Sequence, residues 1–345
     1  MKQRVVVVCP GRGTYNKEEL GYLKRWHQDK SELIEGIDQY RDSVGQTPVA
    51  ELDAMPRYSL KQHSGGENAS ALIYACAYAD YLSIDPERYE VVAVTGNSMG
   101  WYIAMACAGA LAPAPAIELI NTMGSMMVDG VIGGQILYPL VDEQWQIDTQ
   151  LCQRLDEAIA SINAEPGCEL YLSIKLGGYC VLGGNESALK LLEQRLPPLQ
   201  DRFPMRLYNH AAFHTPLLKS VSEQARQQLS PDLIGTPAVP LVDGRGAIWQ
   251  PYSTEVGALY NYTLGHQVVA PYDFSRAIEV AVKEFAPDRL IITGPGTTLG
   301  GSVAQQLVQL GWEGMASKAD FIARQHQDPF ILSMGYEEQR KRVLA

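Results

Sequence analysis

The residues most able to do chemistry are Gly96-Asn97-Ser98-Met99-Gly100, a serine held between two glycines and preceded by the apolar run Val91 to Thr95. The next residues, Trp101 to Leu111, have helical character. A strand, a tight turn and a helix are the context of a nucleophile elbow. There the flanking glycines let the chain turn without side-chain collision, so the serine hydroxyl projects outward with a helix N-terminus behind it. The helix dipole and the free amide of Met99 can then stabilise an oxyanion. Without that context such a serine would more simply be an N-cap.

A serine hydroxyl is a weak nucleophile until a base takes its proton. Of the six histidines, His214 stands in Asn209-His210-Ala211-Ala212-Phe213-His214-Thr215-Pro216, and His210 is its nearby competitor. His27, His63, His266 and His326 read as surface or satisfied polar residues. A true α/β-hydrolase would place its histidine late in the chain. Here only His326 lies that late, in the charged segment Arg324 to Asp328.

Three apolar runs suggest the elements that position these groups: Val5 to Cys9, Val91 to Thr95 and Arg289 to Thr293 read as buried strands, each ending in a glycine-bearing turn. Asn68 to Ser83 has few polar positions and reads as a helix buried on most of its circumference. From Gly133 to about Leu207 the rhythm changes. A strand (Gln135 to Val141), a helix (Thr149 to Asn163), strands (Leu170 to Ile174 and Tyr179 to Leu182), a helix (Ser187 to Leu196) and a strand near Met205 to Tyr208 give the order β-α-β-β-α-β of a split βαβ unit. The expected fold is therefore α/β: an α/β-hydrolase-like parallel-sheet domain over 1–132 and 207–345, with a ferredoxin-like α+β subdomain inserted at 133–206.

Composition excludes other classes. Apolar residues make up 46% and charged residues 19% of 345, enough to build a core without disulfides or metal. A net charge of −11 argues against a nucleic-acid partner. The apolar run near Met1 is too short for a signal peptide or a membrane span, so no membrane partner is expected. Six cysteines without CxxC spacing read as core thiols of a reducing cytoplasm. Metal clusters, a P-loop and a dinucleotide fingerprint are not evident, and no bound cofactor is expected; Gly11-Arg12-Gly13 lacks the rest of a Rossmann loop.

Together the motifs resemble the malonyl-CoA:acyl-carrier-protein transacylases and polyketide acyltransferase domains. Pro10-Gly11-Arg12-Gly13 is similar to their Pro-Gly-Gln-Gly opening, Gly96 to Gly100 to their Gly-His-Ser-Leu-Gly elbow, and Ala212 to Leu217 to their catalytic-histidine segment. Val181-Leu182-Gly183-Gly184, Gly265-His266-Gln267 with Pro271, and Gly294-Pro295-Gly296 fall in the family's order. The resemblance implies a ping-pong reaction in fatty acid or polyketide synthesis. Ser98 takes an acyl group from acyl-CoA, and the phosphopantetheine thiol of an acyl carrier protein removes it. It further implies His214 as base, the Gln267 carbonyl orienting it, and the amides of Arg12 and Met99 as oxyanion hole.

Departures from the pattern concern the acyl group. Met123 stands where malonyl-specific relatives carry an arginine that grips the free carboxylate, Asn97 replaces the histidine before the serine, and Trp101 replaces the acid after the motif. With Met123, Asn97 and Phe213 in the acyl pocket, an uncharged group such as acetyl is expected, unless Arg12 or Lys175 supplies the missing charge. The same residues could serve a hydrolase that clears acyl groups from carriers, or survive in an inactive carrier-binding protein.

Overall fold

The computed structural model describes residues 1–128 and 130–344. Its larger sheet is built from β1 (Gln3–Cys9), β2 (Tyr89–Gly96), β7 (Leu241–Val242), β8 (Ile248–Trp249), β10 (Arg289–Ile292) and β11 (Ile331–Ser333). A smaller sheet holds β3 (Gly134–Pro139), β4 (Leu170–Leu176), β5 (Tyr179–Gly184), β6 (Met205–Arg206) and β9 (Tyr272–Asp273).

The larger sheet runs β11-β10-β1-β2-β7-β8, and all its pairs are parallel except β7 with β8. Val5 to Cys9 are wholly buried, as β-branched residues in a central parallel strand covered on both faces should be. Helices Gly66–Tyr81, Gly100–Cys107 and Pro113–Ser125 pack together beside this sheet. The first is buried at twelve of its positions, in keeping with its almost unbroken apolar sequence. The C-terminal ends of β1 and β2 lead to chemistry: Cys9 pairs with Gly96, so the loop after β1 lies beside the elbow after β2.

The smaller sheet runs β6-β3-β5-β4-β9, with helices Thr149–Asn163 and Glu186–Arg195 packed on it. It has its own cluster of buried side chains, among them Ile136, Tyr138, Leu155, Ile162, Leu182 and Leu189. The first four of these strands pair antiparallel in the ferredoxin-like order. β9 lies outside 133–206 and joins β4 in parallel through Ile174 and Lys175, a connection the hydrophobic pattern did not reveal. Among the described residues, no helix is long and apolar enough to cross a membrane.

Candidate active site

Close packing of backbone forms the elbow. A Cβ on Gly96 would collide with the Gly100 carbonyl, and one on Gly100 would meet the carbonyls of Cys9 and Pro10. Glycine is therefore required at both positions by proximity. Ser98 between them sits at φ 56°, the left-handed region that costs a non-glycine residue free energy and recurs at functional sites. Helix Gly100–Cys107 begins directly behind it.

The structure brings Ser98 and His214 together: Ser98 Oγ lies 2.7 Å from His214 Nε2. His214 is itself at φ 61°, and its Nδ1 lies 2.5 Å from the Gln267 carbonyl oxygen. A carbonyl can only accept, so Nδ1 carries the proton and Nε2 is left to accept the Ser98 hydroxyl. Burial pulls the imidazole pKa down to about 4; the Gln267 carbonyl pulls the other way and His266 lowers it a little further. At neutral pH His214 is thus an uncharged base.

Gln267 directly follows a π-turn, Tyr262–His266, a local departure from the α-helix of a kind that recurs at functional sites. Its side chain is engaged too. Nε2 donates to the Ser98 carbonyl at 3.1 Å, and Oε1 accepts from Tyr102 at 2.8 Å. Tyr272 donates to the Gly96 carbonyl at 2.5 Å and sets its ring 5.3 Å from that of His214. Neither tyrosine stood out in the sequence. Tyr102 could have been found from its place one helical turn beyond Ser98, whereas nothing near Tyr272 signals its role.

The main-chain amides of Arg12 and Met99 donate to no protein acceptor among the described residues. Both belong to segments held against Ser98: a Cβ on Gly11 would stand 2.6 Å from the Asn97 carbonyl, and Asn97 N donates to the Cys9 carbonyl at 3.0 Å. The loop after β1 is backed by Gly296, at φ +76°, against the Thr14 carbonyl. Gly294 packs elsewhere, against the Tyr22 hydroxyl, and its amide donates to Asp80 at 2.7 Å.

Ser98 opens on a cleft of about 400 Å³ between the two sheets. Apolar side chains dominate its walls, including Leu137, Ile174, Leu176, Val181, Leu207 and Phe213. Asn97, Arg12 and His210 line it as well. His210 contacts Gln135, not Ser98, with Nδ1 3.0 Å from Oε1, and burial beside Arg12 pulls its pKa down to about 3.

Two expected pocket residues are corrected. Met123 is 4% exposed, packed into the main core on helix Pro113–Ser125, and is not part of the cleft wall. Lys175 is 57% exposed and pairs with Asp273 at 3.0 Å. Its neighbours Ile174 and Leu176 take the cleft-facing positions of β4 instead. Trp101 is wholly buried, donating to Thr263 at 3.1 Å.

A serine in left-handed backbone on a strand-to-helix turn, a neutral histidine in contact with it and two free amides nearby are an arrangement able to carry out nucleophilic acyl substitution. No family model matches the chain. It is 22% identical over 313 residues to the malonyl CoA-acyl carrier protein transacylase of Haemophilus influenzae, covering 87% of this chain and 91% of that one. The solved malonyl-CoA:acyl carrier protein transacylase of Xanthomonas oryzae shares the fold with a TM-score of 0.73 at 16% identity, over 100% of this chain and 98% of that one. Another solved neighbour, 15% identical with a TM-score of 0.72 over 99% of both chains, is a type II polyketide acyl-carrier protein in complex with its malonyl-transacylase. The resemblance read from the motifs is therefore borne out, as is the fold class.

Proposed function

We propose that this protein is an acyl-CoA:acyl-carrier-protein S-acyltransferase of fatty acid or polyketide synthesis, working through an acyl ester on Ser98. The observation that carries this is the 2.7 Å contact of Ser98 Oγ with a His214 Nε2 whose other nitrogen is committed to the Gln267 carbonyl. In the first half-reaction Ser98 Oγ attacks the thioester carbonyl carbon and His214 Nε2 takes its proton. The oxyanion is received by the amides of Arg12 and Met99. Collapse breaks the carbon–sulfur bond, and His214 returns the proton to the departing CoA thiolate. In the second half a phosphopantetheine thiol gives its proton to His214, attacks the ester and releases Ser98 Oγ, which takes the proton back. One thioester replaces another of nearly equal energy, so the enzyme need only stabilise two tetrahedral intermediates.

Two features favour transfer over hydrolysis in this reading. The apolar walls of the cleft disfavour ordered water near the ester, and they suit the pantetheine arm that CoA and carrier protein share. A cytoplasmic setting is part of the proposal, since the six cysteines are free and four are buried. Intact-mass measurement after incubation with acyl-CoAs tests it, followed by addition of holo acyl carrier protein. The wild type should gain one acyl mass and lose it to the carrier, and Ser98→Ala should gain none. An adduct retained in folded Ser98→Ala would overturn the proposal, and an adduct lost to water but not to carrier would replace it with hydrolysis.

A further inference from the structure

We infer that Arg12 is the specificity-determining residue of this site, a carboxylate anchor on the loop after β1, so that the transferred acyl group bears a free carboxylate. The inference rests on the acyltransferase reading above. Met123 is packed away in the core and Lys175 is spent on Asp273 outside the cleft. That leaves two cationic side chains on the cleft wall, Arg12 and Arg202. Arg202 is exposed and lies over the Phe203 ring, with its guanidinium carbon 4.6 Å from the ring centre.

Arg12 is different in kind. Its Nη2 donates to the carbonyls of Ser64 and Asn209, both at 2.9 Å, which fixes the guanidinium in one place. Nε is buried without any acceptor, and Nη1 donates to no protein acceptor among the described residues. Arg12 forms no ion pair with any described carboxylate, and Glu67 acts on it only at longer range. Burial draws its pKa down to about 10, so it remains a cation at neutral pH. Beside it, Asn97 Oδ1 is a second buried polar atom without a partner.

A largely buried guanidinium with uncommitted donors and no carboxylate in contact with it is an arrangement that gains most from an anionic ligand. Two carbonyls bear the cost of holding it still before the ligand arrives. Carboxylate is the anion that a short acyl thioester can bring into a cleft shared with Ser98. Because the amide of the same residue faces the oxyanion in the proposed mechanism, anchoring the carboxylate also steadies the loop that stabilises the transition state.

The test compares acylation of Ser98 by malonyl-CoA and acetyl-CoA in the wild type, Arg12→Gln and Arg12→Lys, with kcat/KM read by rapid quench and intact mass. The wild type should favour malonyl. Arg12→Gln should lower the malonyl-to-acetyl ratio about 10²-fold, as truncating one partner of a buried charged pair does, with Arg12→Lys in between. Because the ratio is read within one variant, general damage to the loop cancels, and Arg12→Lys serves should Arg12→Gln fail to fold. A wild type that prefers acetyl, or a ratio that both variants leave within about twofold, would overturn the assignment of Arg12 alone. A wild type that no acyl-CoA labels would instead remove the acyltransferase reading beneath it.

Discussion

Burial of His214 makes a prediction about pH that separates this site from one built on an ordinary histidine. Only the neutral imidazole can accept the Ser98 proton, so acylation is lost as His214 protonates. With a pKa of 6.5, about 9% of the base would be neutral at pH 5.5; with a pKa of about 4, about 97% is. The acylation rate should therefore hold nearly constant from pH 7.5 down to 5.5 and fall to half only near pH 4. Single-turnover acylation, quenched in acid and read by mass, measures this without coupling enzymes. A half-maximal point between pH 6 and 7 would refute the claim that desolvation governs the base. His214→Ala should cost at least about 10² in the same assay, and His210→Gln far less, because His210 contacts Gln135 and not Ser98.

The same two histidines affect stability with a definite sign. Each has a folded pKa below its unfolded value, so as pH falls below about 6.5 the unfolded chain binds protons that the folded chain refuses. Stability is full above that pH and declines below it, by at most about 1.4 kcal/mol per pH unit for each group. His210→Gln should recover about 1.6 kcal/mol of the loss between pH 6.5 and 5, measured by denaturant unfolding. Two further substitutions probe the frame. Gly11→Ala puts a Cβ 2.6 Å from the Asn97 carbonyl and must displace either the oxyanion loop or the elbow, so acylation should fall about 10²-fold in a protein that still unfolds cooperatively. Arg340→Met removes the 2.6 Å contact with wholly buried Asp80, and denaturant unfolding should show a loss of about 3 to 5 kcal/mol. Asp80 also accepts from Tyr22 and the Gly294 amide and contacts His27, so a loss under about 1 kcal/mol would mean that these partners suffice.

Much of the frame is legible because burial leaves a pattern. Val5 to Cys9 and Val91 to Thr95 read as strands since a parallel strand covered on both faces excludes polar residues, and helix Thr149–Asn163 coincides with its amphipathic period. The strands missed, β7, β8, β9 and β11, are two or three residues long and have no period to detect. The family resemblance pointed to Ser98, His214 and Gln267, which the structure brings together, but it could not say which way Lys175 points. The register of β4 against β5 shifts between Leu172 and Ile174, and such an irregularity resets the alternation that side-chain direction is inferred from. Met123 failed for the complementary reason. A helix face is read relative to its neighbours, and the backbone contact of Gly124 with Gly66 sets that packing through residues with no side chain to give a signal.

What remains invisible to a linear reading is how separate segments support one another at the site. Ser98 and His214 both occupy left-handed backbone, a cost that persists only where surrounding contacts leave no alternative. Those contacts come from elsewhere in the chain. Gln267 holds the Ser98 carbonyl with its side chain and His214 with its main chain, while Tyr272 holds Gly96 from the residue that begins β9. β9 in turn pairs with β4 of the smaller sheet, so one short strand touches the elbow, the histidine and the far wall of the cleft. The serine and histidine are thereby tied to the pairing of β9 with β4 through Tyr272, a residue that no motif identifies.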